Sequence, residues 1–82
     1  MDVEKHDKIC DLYWDIRARV QDDPEYARMA AMLEELNPQY EALLETLPTE
    51  SQRLIEHCIL LRESMGSRML EWACEKILFP ET

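Results

Sequence analysis

One glycine in the whole chain, Gly66, falls in the middle of an expected helix, so it supplies no glycine-bearing turn to present a nucleophile. Cysteine is nearly as scarce. Cys10, Cys58 and Cys74 are an odd number with no CxxC pair, so their spacing encodes neither a disulfide framework nor a thiolate zinc site. No apolar run approaches the ~20 residues of a bilayer span; a typical stretch is Cys58-Ile59-Leu60-Leu61. No apolar signal segment follows Met1, and together with the odd cysteine count this predicts a reducing, cytoplasmic setting. Basic residues are also few. Nine Lys and Arg face 18 Asp and Glu, a net charge of −9, which repels phosphate backbones and anionic lipid. Direct nucleic-acid binding and membrane association are not expected.

What the chain does contain is helix formers. Ala, Leu, Glu, Arg and Met dominate, and four prolines act as punctuation. Eighty-two residues make one domain, residues 1 to 82, that buries only about 60 % of its unfolded surface. Small domains offset that deficit with disulfides, metals or oligomerisation. The cysteine count leaves oligomerisation.

The expected fold is all-α: an antiparallel three-helix bundle whose middle leg is bent or broken at Asn37-Pro38, giving three or four helices. The first helix runs from about Val3 to Val20, with Ile9, Leu12, Tyr13, Ile16 and Val20 on one face, and ends in Gln21-Asp22-Asp23. The second opens at Asp22-Asp23-Pro24-Glu25, where either aspartate can cap, and its apolar face is Tyr26, Met29, Ala30, Leu33 and Leu36. Pro38 should stop or kink it, after which Tyr40, Leu43, Leu44 and Leu47 continue the same face. Thr49 to Gln52 reads as a T-x-x-Q capping box for a last helix reaching about Phe79 before Pro80.

Constellations that could carry chemistry fall short of it. His6 and Cys10 share a helical face and could supply two zinc ligands, but His57 and Cys58 point about 100° apart, with Cys58 on the inward side. No acidic residue precedes a histidine by three positions, which removes a carboxylate-bridged di-metal bundle. A Cys and His nucleophile would need a glycine-bearing turn to present it. No enzyme, metal or cofactor is therefore expected. Asp7, Asp11 and Asp15 lie opposite the apolar face of the first helix and read as a solvated surface.

Three surfaces exceed the needs of a simple bundle. Val3, Cys10 and Trp14 form a stripe off the buried face of the first helix, either an incidental exposed patch or a contact with another chain. The last helix carries two apolar stripes. Leu54, Cys58, Leu61, Met65, Met69 and Trp72 make the one assigned to the core, while Ile55, Ile59, Leu70, Ala73 and Ile77 make a second, available to a partner or to a second neighbouring leg. Met29, Met65 and Met69 are placed in the core and Met32 near the surface. Finally, Glu34, Glu35, Glu41 and Glu45 form an acidic ridge in a segment, residues 22 to 50, where eight acids meet only Arg28. The ridge is either a solubilising face or a surface attracted to a basic groove.

The segment Leu47-Pro48-Thr49-Glu50-Ser51-Gln52-Arg53-Leu54-Ile55, continuing through Met65 to Leu70-Glu71-Trp72-Ala73, resembles the C-terminal half of small helical proteins carried by bacterial phages and mobile elements. It is a likeness of capped, apolar and charged positions without a diagnostic motif or an activity. What the resemblance implies is a setting in which small acidic proteins include inhibitors of host defence that occupy a nuclease's nucleic-acid groove. Two functions follow as expectations: a non-enzymatic module binding a protein with a basic surface, or a homodimerising structural module with a merely solubilising acidic face.

Overall fold

The computed structural model describes residues 3 to 81, and among them it is all-α, with three helices and no strand: α1 (Val3–Val20), α2 (Pro24–Glu45) and α3 (Thr49–Leu78). None is long and apolar enough to cross a membrane. The α1–α2 turn closes through backbone hydrogen bonds from Asp22 N–H to Arg19 O and Asp23 N–H to Val20 O, both 3.0 Å. Asp23 is the capping aspartate: its Oδ2 accepts from Tyr26 N–H at 2.9 Å, with Pro24 in the first turn. The pyrrolidine occupies a position whose N–H would have had no helical partner, so the cap and the proline specify the same start.

The middle leg does not break. Pro38 lies inside α2, and a single helix passes through Asn37 without a new cap. Pro38 cannot donate to the carbonyl four residues earlier, that of Glu34. Every α2 residue except Leu44 is exposed, so water can serve that carbonyl instead. The capping box at Thr49 is not formed either. Pro48 is the N-cap residue with no side-chain cap, and Gln52 Nε2 donates to Leu47 O at 2.9 Å. The helix starts one residue earlier than a Thr49 cap requires, which places Thr49 in the first turn.

The helices run antiparallel about α3. Lys5 lies over the Phe79 ring at 5.2 Å, Tyr13 meets Ser67, and Val20 shares a cleft with Gly66, so rising numbers in α1 meet falling numbers in α3. α2 continues the same course, with Tyr26 beside Gly66 and Tyr40 to Glu45 facing Gln52 to Glu63. α1 and α2 thus succeed one another along α3. Only α1 and α3 make extended contact, while α2 stands off.

The packing is correspondingly thin. Ile9 and Cys74 are the two buried apolar side chains among the described residues, with Leu12, Tyr13, Ile16, Val20, Leu70 and Ala73 half-buried around them. The radius of gyration is 17.1 Å, against about 12 Å for a compact domain of this length. Several expected core positions are therefore corrected. Tyr26, Met29, Ala30, Leu33 and Leu36 are exposed because α2 has no closely packed neighbour. On α3 the assignment of stripes is reversed: Leu54, Cys58, Leu61, Met65, Met69 and Trp72 face outward, whereas Leu70 and Ala73 flank buried Cys74 against α1. Met65 and Met69 go outward with their stripe, and Met32 is exposed as expected.

Candidate interaction surfaces

At the α1–α3 contact, several chemistry-bearing side chains gather. His6 Nε2 and Cys10 Sγ approach to 3.4 Å on α1 beside Glu71 of α3. His57 and Cys58 do not join them, and among the described residues no group of three or more His, Cys, Asp or Glu is arranged to hold a metal ion. Cys74, fully buried, has its thiol pKa raised above the ordinary value by desolvation, which keeps it protonated and inert. Cys58, expected inward, is exposed.

Trp14 is 63 % exposed, as its place off the apolar face predicts. It does not stand alone. Its ring meets Tyr13 edge-on at 5.2 Å, and the Arg17 guanidinium lies over both, 5.4 Å from Trp14 and 5.5 Å from Tyr13. Hydrogen bonds from Ser67 and from Arg17 Nη1, the latter at 2.9 Å, lower the pKa of the Tyr13 phenol. Of the stripe that includes Trp14, Val3 is exposed and Cys10 half-buried. Asp7, Asp11 and Asp15 face solvent, and Asp15 pairs with Arg19 at 3.1 Å.

The second α3 stripe is divided by its surroundings. Ile55 and Leu70 are half-buried on the side facing α1 and α2, Ile59 lies on the wall of the α2–α3 gap, and Ile77 is exposed.

The stand-off of α2 opens a cleft of about 550 Å³ between its C-terminal half and the N-terminal half of α3. Glu41 and Glu45 line it from α2 and Glu56 and Glu63 from α3, with Tyr40, Leu44, Ile59 and Leu60 also in the lining. The ridge read along α2 is thus split: Glu34 and Glu35 are exposed outside the cleft, while Glu41 and Glu45 share its lining with two acids from another helix. Glu56 and Glu63 carried no signal in the sequence, being isolated acids in a nearly neutral helix. The one cation of residues 22 to 50, Arg28, is held by Glu25 at 2.6 Å in the first turn of α2. None of the four cleft carboxylates has an ion-pair partner among the described residues.

The cleft thus brings four carboxylates and four apolar side chains from two helices into one open lining. Comparison with protein-family models, with curated proteins and with solved structures finds no match for this chain.

Proposed function

We propose that the chain is a non-enzymatic protein-binding module whose carboxylates dock a basic surface of another protein. The observation that carries this reading is that Glu41, Glu45, Glu56 and Glu63 line one open cleft with no Lys, Arg or His among its described lining residues. Like charges held together in this way are destabilising. A cationic partner relieves the repulsion on binding, and long-range attraction speeds its approach. Glu34 and Glu35 extend the same field along α2, and Tyr40 with Leu44 supplies apolar contact at the centre.

Carboxylates one to two helical turns apart, about 5 to 11 Å, approximate the charge spacing of a nucleic-acid backbone. The resemblance to small phage and mobile-element proteins makes a nuclease of bacterial defence the kind of partner such a mimic would block. The test is binding to a panel of purified defence nucleases, with duplex DNA as competitor. The expected result is mutual exclusion with DNA, abolished by combining Glu34→Lys, Glu41→Lys and Glu45→Lys while far-UV circular dichroism stays unchanged. Binding that survives the charge reversal, or no binding across the panel, overturns the reading.

A further inference from the structure

The α1–α3 contact holds a pocket of about 150 Å³, separate from the acidic cleft and lined by His6, Ile9, Cys10, Tyr13, Trp14 and Glu71. A nucleophile and a base meet on its wall: Cys10 Sγ lies 3.4 Å from His6 Nε2. The pair needs no glycine-bearing turn to present it, because residues four apart on a helix are neighbours. In the tautomer that leaves Nε2 unprotonated, the thiol donates to the imidazole. That is the geometry of a cysteine provided with its own general base. Cys10 is half-buried and borders the pocket, so its sulfur can be reached from there.

We infer that Cys10 is a reactive thiol, served by His6 as general base, and that the reagent it takes is a small uncharged hydroperoxide. Charge and surroundings select that class. The Glu71 carboxylate favours the imidazolium that forms when His6 accepts the proton, and it repels anionic reagents such as glutathione disulfide. Its ion pair with Arg68, at 3.4 Å, is exposed and screens that charge only in part. Ile9 and Trp14 give the pocket apolar walls. As the sulfur attacks one oxygen of hydrogen peroxide, an S–O bond forms and the O–O bond breaks. The thiol proton passes to His6 Nε2 and on to the departing hydroxide, which leaves as water. The sulfur is oxidised by two electrons to a sulfenic acid, and the peroxide is reduced.

The other cysteines supply the contrast. Cys74 is fully buried, with its thiol held protonated by desolvation, whereas Cys58 is exposed. The sequence neighbour of Cys58, His57, points about 100° away from it on the helix. Accessibility alone ranks Cys58 first, and the pairing with His6 ranks Cys10 first. Treating the full chain with hydrogen peroxide at neutral pH, trapping sulfenic acid with dimedone and reading each cysteine by mass spectrometry of tryptic peptides separates the two. Cys10 is expected to react about tenfold or more faster than Cys58, with Cys74 unlabelled. His6→Gln should bring Cys10 down to the rate of Cys58 and leave Cys58 and Cys74 as they were. If Cys74 becomes labelled in that variant, the α1–α3 contact has opened, and His6→Ala, which favours helix, takes its place with the same expectation. A Cys58 as fast as Cys10, or a Cys10 rate indifferent to the loss of His6, overturns the inference. Nuclease binding has no part in this readout, so the acidic reading stands or falls separately.

Discussion

At the scale of single residues, local chemistry and tertiary surroundings agree at Asp23 and part company at Gly66. Asp23 caps α2 because a short carboxylate before Pro24 reaches the Tyr26 amide, an interaction complete within four residues. Gly66, on the second stripe, could have admitted a closely packed helix. A Cβ built there meets nothing within 4 Å, and its φ is not positive, so the glycine serves no close approach within the chain. Gly66→Ala should therefore stabilise the fold by about 0.8 to 1 kcal/mol through helix propensity, raising the thermal midpoint by about 4 to 8 °C. A lowered midpoint in a differential scanning experiment would refute that account of the site.

Among the elements, α2 is the exception. Its capped start, its helix-forming residues and its single apolar face specify a helix, and it remains one through Pro38 with almost no tertiary support. Most helical stability in proteins comes from tertiary packing of an apolar face, and segments with few buried contacts open at low free energy. Backbone amides of α2 should accordingly exchange with deuterium well before those of α1 near Ile9 and of α3 near Cys74, as read by mass spectrometry of peptic fragments. Equal protection across the three helices would mean that α2 is held by contacts absent from the isolated chain, and saturation with a basic partner should raise α2 protection selectively.

For the molecule as a whole, charge is the dominant liability. Net −9 on a chain of 82 residues, with most of the excess on the α2 segment, sets the folded state against itself. Surface ion pairs such as Arg19 with Asp15, Arg28 with Glu25 and Arg68 with Glu71 are exposed and contribute little. Screening should therefore stabilise. Raising salt from low concentration to about 0.15 M, where the Debye length is about 8 Å, should raise the thermal midpoint. It should do so less in the Glu41→Gln, Glu45→Gln variant. A midpoint that falls with salt would show that attractive pairs outweigh the cleft repulsion.

The helices, their bounds and the outward position of Trp14 were legible along the chain, because periodicity, capping and proline act over a few residues. The acidity of the α2 segment was equally plain, since charge is a property of composition. The α3 stripes were assigned the wrong way round because both are apolar enough to be core, and periodicity alone does not say which one finds a neighbour. That choice follows from α1 packing beside Cys74 rather than Met65. The cleft was hidden for the same reason: Glu56 and Glu63 become partners of Glu41 and Glu45 only through the antiparallel course of α2 past α3, a relation between residues far apart in the chain. Local physics settled what each segment is, and long-range packing settled which of its faces is left to meet something else.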